Sequence, residues 1–283
     1  MTTTVYFNGA FIDKARVHIS PDDRGFLLAD GIYEVVRSYA GRLFEFDAHL
    51  ARLRHGLRAL RIDGVDLGDI ERVFRHLIER NGLAAQDAMV YLQITRGAAP
   101  RVHAFPQPPV SPTLYVEAKP IVTRGDARVG IGVITVPDIR WARCDIKSIA
   151  ILANCLANQR AQEAGAVEAI MVRDGVALEG SATSFFAIID GEVRTAPASN
   201  YILRSVTRGV VLRLCAEAGI AARETSVFAH ELPDADELFL AGTTSEVMPI
   251  VQLDGQPVGT GKPGPMTTRL AALFRELTDT LRD

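Results

Sequence analysis

Apolar and polar positions alternate in short runs at the start of the chain. Val5-Tyr6-Phe7 and Ala10-Phe11-Ile12 flank Asn8-Gly9, a two-residue turn signal that predicts a β-hairpin. Residues 32–39, following Asp30-Gly31, read as another strand. The period then lengthens. From about Asp47 onward, Leu50, Leu53, Leu57 and Leu60 fall on one helical face. A second helix is predicted over about residues 69–80, stopping at Asn81-Gly82, where a left-handed cap is available. Strand patterning returns at 89–94 and 113–116. Strands, two helices and strands again predict an α+β unit rather than repeated βαβ units.

The pattern restarts near Lys119-Pro120, which places the expected boundary there. Residues 1–119 are expected to form a smaller N-terminal α+β domain of sandwich-like layers. Residues 120–283 are expected to form a larger, strand-rich C-terminal domain with surrounding helices. That second part opens with an apolar strand at 129–136 and a helix at about 149–164, ended by Gly165. Tight turns follow at Asp174-Gly175 and Asp190-Gly191. A helix over 206–218 stops at Gly219, and 266–281 closes the chain as an amphipathic helix. No internal repeat or low-complexity segment interrupts the pattern.

A length of 283 residues suits two domains of ordinary size, and 48% apolar with 23% charged residues is globular composition. The formal net charge of −3 leaves no basic excess for phosphate backbones, so no nucleic-acid partner is expected. No apolar run approaches the ~18 residues of a membrane span. The first residues lack the basic and apolar stretches of a secretory signal. Cys144, Cys155 and Cys215 are few and odd in number, which fits reduced thiols and a cytoplasmic location.

One count is more pointed. Of 31 basic residues only Lys14, Lys119, Lys147 and Lys262 are lysines. Three lie beside turn-like or proline-containing stretches. Lys147 lies in Asp145-Ile146-Lys147-Ser148-Ile149-Ala150, among aliphatic side chains. Desolvation lowers an amine's proton affinity and makes it a nucleophile; a snorkelling lysine at the edge of a buried helix would look the same.

Other strings carry candidate chemistry beside plainer explanations. Gly259-Thr260-Gly261-Lys262-Pro263-Gly264 matches a dinucleotide pattern by letter, but no buried strand precedes it and too little chain follows, so it reads as a turn. The six histidines are scattered without metal-ligand spacing, and no metal is expected. Pro100 and Pro106 bracket Arg101-Val102-His103; in extended geometry Arg101 and His103 share a side and suit a carboxylate, though a solvated loop explains them equally. Ser205-Val206-Thr207-Arg208 opens a helix whose first amides can hold an anion, and Gly242-Thr243-Thr244-Ser245 offers hydroxyls and amides after an apolar strand. Arg52 could add a bidentate cation. A capped helix, a polar turn and a solvated helix face account for each singly. Glu179 enters an apolar region and needs a buried cation or a protonated ring nitrogen, unless it is only the polar end of a strand.

Taken together these strings resemble the class IV, pyridoxal-phosphate-dependent aminotransferases, of fold type IV. The likeness spans essentially the whole chain. It is carried by Asp22-Asp23-Arg24-Gly25 with residues 31–36, His49-Leu50-Ala51-Arg52-Leu53, Arg143-Cys144-Asp145-Ile146-Lys147-Ser148, Glu168-Ala169-Ile170, Glu179-Gly180-Ser181, Ser205-Val206-Thr207-Arg208 and Thr243-Thr244-Ser245-Glu246. Within the family, Pro100-Arg101-Val102-His103 is similar to the string of the D-amino-acid aminotransferases. The resemblance implies a two-domain α+β fold with pyridoxal 5'-phosphate held between the domains. It implies that Lys147 carries the cofactor aldehyde covalently and acts as the catalytic base, with Glu179 on the pyridine nitrogen. Arg52, Val206, Thr207, Gly242 and Thr243 would hold the phosphate, and Tyr33, Arg101 and His103 the substrate carboxylate.

The implied reaction moves an amino group from a D-amino acid such as D-alanine to a 2-oxo acid such as 2-oxoglutarate. Because Arg101 and His103 reach a neighbouring subunit's site in that family, a homodimer with shared active sites is implied. Three positions depart from the family's habit: Gly242 stands where a serine is frequent, Ser184 where an asparagine is frequent, and Ala182 where some members carry a hydroxyl. Branched-chain or (R)-amine transamination, or an aminodeoxychorismate-type lyase, are the alternatives on the same scaffold. A non-enzymatic binding protein is the alternative outside it.

Overall fold

A computed structural model describes residues 3–122 and 125–282. They divide into two compact units: one runs to Ile121 and includes Ile146–Ala150 and Leu281 onward, the other comprises Val122–Asp145 and Ile151–Thr280. The units therefore do not separate at a single point in sequence. The short segment bearing Lys147 belongs with the first.

The first unit is built on β1 (Thr4–Phe7), β2 (Ala10–Asp13), α1 (Arg24–Leu28), β3 (Gly31–Tyr39), β4 (Arg42–Leu43), α2 (Phe46–Leu60), α3 (Ile70–Arg80), β5 (Ala88–Thr95) and β6 (Thr113–Pro120). Its six strands form one sheet in the order β2-β1-β6-β5-β3-β4. The predicted hairpin pairs Val5 with Ile12 across a turn in which Asn8 and Gly9 both have positive φ (44° and 93°). Both predicted helices are present. Leu53 and Leu57 of α2 are buried, with Leu50 and Leu60 packed at the edge of the same cluster. α3 ends as expected, with Gly82 in the left-handed region. Ile32, Leu77, Val90, Leu92 and Ile94 are almost fully buried in this core, each burial worth ~1.5–3 kcal/mol.

The second unit contains β7 (Ile131–Pro137), α4 (Leu152–Glu163), β8 (Glu168–Arg173), β9 (Val176–Gly180), β10 (Ser184–Ile189), β11 (Glu192–Thr195), α5 (Val206–Glu217), β12 (Ala222–Glu224), β13 (Val227–Phe228), β14 (Glu237–Gly242), β15 (Glu246–Leu253), β16 (Gln256–Pro257) and α6 (Pro265–Asp279). Its ten strands follow the order β12-β11-β10-β14-β15-β7-β8-β9-β13, with β16 on β15. Ser184 opposite Glu179 joins β10 to β9 and closes the central strands on themselves. Phe185, Ala187, Leu238, Leu240 and Ile250 fill the interior. The carboxylate of Glu237 accepts from the amides of Met266 and Thr267, both at 2.8 Å, and so caps α6 from a neighbouring strand.

Two elements differ from their sequence-based expectation. The strand expected at 129–136 begins at Ile131, because Gly130 turns the chain with φ 80° and Val129 is exposed. The helix expected from 149 begins at Leu152. The preceding residues turn and pair with β3 instead: Ser148 donates its amide to Ile146 O at 2.7 Å, Tyr33 donates to Lys147 O at 2.9 Å, and Ile149 donates to Gly31 O at 3.1 Å. Pairing with β3 competes with helix formation for the same backbone groups and wins.

Candidate active site

In the first unit, three of the sequence-selected residues stand on β3, α2 and the 146–150 segment that pairs with β3. Lys147 Nζ lies 4.2 Å from the centroid of the Tyr33 ring. Tyr33 is stacked in turn on Tyr91, centroid to centroid 5.8 Å. The half-buried amine thus lies over an aromatic face.

Beside it is a group that the sequence reading does not single out. Glu34, almost fully buried, accepts from Arg52 Nε at 2.7 Å and Arg52 Nη2 at 2.8 Å, a bidentate pair, and also contacts His49 Nδ1 at 2.9 Å. Burial alone would raise the Glu34 carboxyl, but the charge and hydrogen bonds of Arg52, with help from His49, bring it to about 2. Burial pushes His49 down despite Glu34, with Arg52 and Lys147 adding to the same direction. Since the ionised carboxylate can only accept, the neutral imidazole donates through Nδ1. Arg52 is thus a fixed cation rather than a solvated helix residue. The available signal was the spacing of His49 and Arg52, three apart on a helix, facing an acidic residue in an apolar strand.

Arg101 and His103 lie in the long connection from β5 to β6, and both are exposed. Val102 N donates to Pro100 O at 2.9 Å, turning the chain at Arg101. Strict strand alternation therefore does not apply to this pair, contrary to the extended geometry expected from the flanking prolines.

In the second unit, Glu179 is the penultimate residue of β9 and is buried. The buried cation it requires is Arg140, another residue not singled out by sequence. Arg140 Nη1 pairs with Glu179 Oε1, while its Nε and Nη2 bind Asp138 at 2.9 Å. The Leu203 amide lies 3.3 Å from Oε1 and 3.1 Å from Oε2. Burial pushes the Glu179 carboxyl up against the pull of Arg140. A carboxylate offers about four acceptor sites, so Oε2 retains capacity beyond one shared amide. That capacity fits a protonated ring nitrogen.

Val206 and Thr207 open α5, where Ser205 Oγ accepts from Arg208 N at 3.2 Å. The amides of the first turn have no acceptor within the helix. Arg208, beside them, donates to Ala196 O and Glu224, both at 2.7 Å, and is committed to the fold. Gly242 and Thr243 lie where β14 turns into β15. A Cβ on Gly242 would stand 3.0 Å from Ser245 Oγ and 3.2 Å from Thr183 Cγ2, so the frequent serine would crowd this turn. Ser245 Oγ is buried and has no hydrogen-bond partner among the described residues. An orphaned hydroxyl among Thr243, Thr244 and backbone amides suits an anion with several acceptor oxygens, such as a phosphate. Among the described residues, no group of His, Cys, Asp and Glu could hold a metal ion, and no helix is long and apolar enough to cross a membrane.

Comparison with known proteins accords with this chemistry. A D-alanine aminotransferase of Staphylococcus haemolyticus is 39% identical over 276 residues, covering 97% of each chain. One of Bacillus licheniformis is 39% identical over 267 residues, covering 93% of each. Among solved structures, a branched-chain aminotransferase from Thermoproteus uzoniensis superposes with a TM-score of 0.90 at 22% identity, over 98% of this chain and 95% of that one. A branched-chain amino acid aminotransferase from Escherichia coli gives 0.88 at 24% identity, over 98% and 95%. At such identity these two establish the α+β fold alone. The family model for amino-transferase class IV matches residues 31–253, and the chain belongs to that family.

Proposed function

We propose that this protein is a pyridoxal 5'-phosphate-dependent D-amino-acid transaminase, moving an amino group from a D-amino acid such as D-alanine to a 2-oxo acid such as 2-oxoglutarate. The observation that carries the reading is its near-full-length kinship with D-alanine aminotransferases, at 39% identity over 97% of the chain. It acts as a cytoplasmic homodimer with shared active sites.

When bound, the cofactor supplies an electron sink for the substrate α-carbon. Lys147 Nζ would hold the cofactor and, when free, would take the substrate α-proton and return it. Glu179 would hold the proton of the ring nitrogen, with Arg140 fixing its carboxylate through Oε1. Arg52, Val206, Thr207, Gly242 and Thr243 would hold the phosphate, with Ser245 Oγ available as a further donor. Glu34 neutralises and aims Arg52, so much of the anion binding falls to directed N–H and O–H donors. Tyr33, Arg101 and His103 fix the substrate carboxylate. Their grip decides which α-hydrogen faces Lys147 Nζ, so stereochoice is a matter of positioning.

The test is to supply D-alanine and 2-oxoglutarate and measure pyruvate and D-glutamate. Formation of both supports the reading. Consumption of L-branched-chain donors or (R)-amines instead, or pyruvate released without any 2-oxo acid acceptor, would replace it with another chemistry of the same scaffold.

A further inference from the structure

The connection carrying Arg101 and His103 spans residues 96–112, far longer than the two to five residues of an ordinary hairpin loop. A loop of that length fixes a ligand only if something fixes the loop. Its base is closed by backbone: Arg24 N donates to Gly97 O at 2.9 Å, and Ala99 N to Asp22 O at 3.1 Å. Gly97, at φ 100°, lies so near Ser111 that an added Cβ would stand 2.0 Å from Ser111 O.

The tip is held from beneath by side chains. Arg24, with its side chain only 3% exposed, donates from Nη1 to Val102 O at 2.7 Å, with Nη2 3.4 Å from His103 O. Its Nε pairs with Asp30 Oδ2 at 2.8 Å. Asp30 is shared with Arg96, which approaches both carboxylate oxygens at 2.7 and 3.0 Å. Arg96 in turn donates to Leu60 O and Arg61 O at the end of α2, at 2.7 and 2.8 Å. Phe105 lies on the face of this cation, 3.6 Å from the Arg96 guanidinium carbon to the ring centroid. The guanidinium of Arg61 is 5.3 Å from the same ring. The stretch bearing Arg101 and His103 is thereby fastened before and after His103 to one buried network that ends on a helix terminus.

We propose that Arg24 and Phe105 are positioning residues for substrate-carboxylate recognition, holding the Arg101–His103 stretch in the geometry that receives the carboxylate. The inference rests on the reading of Arg101 and His103 given above. Arg24 contacts backbone carbonyls and Phe105 a guanidinium, so both act through the loop. A planar fork is required at Arg24: one guanidinium serves a carboxylate and two carbonyls together, which a single ammonium cannot match.

The test uses the holoenzyme with D-alanine and 2-oxoglutarate. In Phe105→Ala and Arg24→Lys, KM for D-alanine rises about tenfold, the scale of one charge-assisted hydrogen bond, with kcat and the cofactor's visible absorbance held near wild type. Phe105→Tyr, which keeps the ring, restores the KM. In an Arg101→Ala background, Phe105→Ala adds nothing further, because the group being positioned is gone. Where Arg24→Lys does not fold, the half-exposed Phe105 carries the test. A loss of kcat and cofactor content in parallel with the KM change, or additivity with Arg101→Ala, assigns a merely structural role and overturns the proposal. Arg101→Ala with its expected loss while Phe105→Ala and Arg24→Lys keep wild-type KM also overturns it, leaving the transaminase reading intact. Arg101→Ala without any effect on KM removes the carboxylate role of Arg101 and this inference with it.

Discussion

Replacing Glu34 by Gln keeps the side chain's size and removes its charge. Arg52, its side chain 8% exposed, then loses the carboxylate that pairs with its Nε and Nη2, a loss that costs several kcal/mol in buried pairs. The structure gives a second route to the magnitude. Glu34 titrates at about 2 against an ordinary 4.5, which at ~1.4 kcal/mol per pH unit is about 3 kcal/mol of folded-state stability. The sign follows from linkage. A carboxyl held below its unfolded value contributes fully above pH 4.5, and its contribution disappears as the pH falls towards 2. Urea unfolding followed by circular dichroism, at a series of pH values from neutral to acid, should therefore place Glu34→Gln about 3 kcal/mol below wild type at neutral pH. The gap between the two proteins should narrow below pH 4.5. Other carboxylates contribute to both curves and cancel in the difference. A gap of the same size at every pH, or none at neutral pH, would refute the buried pair as the source.

Three further outcomes are expected. Lys147→Ala should lose the visible absorbance of the bound cofactor along with turnover, and borohydride labelling with peptide mapping of the wild type should mark Lys147; a label elsewhere would sink its covalent role. Arg101→Ala should raise KM for D-alanine by the equivalent of ~1.5–3 kcal/mol, as for a hydrogen bond to a charged group, while an amine without a carboxylate is unaffected. Gly264→Ala should lower the unfolding temperature through ~1–2 kcal/mol of lost helix capping, because its Cβ would stand 2.1 Å from the Glu237 carboxyl carbon that caps α6; a circular-dichroism melt identical to wild type would show the cap to be unimportant.

What can be read from the chain in advance follows from the range of each interaction. The Asn8-Gly9 hairpin and the leucine face of α2 are local patterns, set by neighbours a few residues apart, and both stand as expected. Ile149 and Ala150 pattern as the start of a helix because the pairing of residues 147–149 with β3 depends on Gly31 and Tyr33, more than a hundred residues away. Glu179 announces its need for a cation through its apolar setting, yet nothing near it in sequence names Arg140. Asp22-Asp23-Arg24-Gly25 marks the family without showing what the string does. Gly25 must be bare, since a Cβ there would meet Thr95 Cγ2 at 2.2 Å, and Arg24 grips carbonyl oxygens rather than side chains at the loop. Every residue carries such an oxygen, so an arginine that holds backbone imposes no residue type on its partner. A search for complementary side chains finds Arg52 and Glu34 in principle and Arg24 with Val102 never. Positioning through backbone is the part of a site least visible in sequence, and variants at Arg24 therefore test a kind of contact that the motif alone could not have suggested.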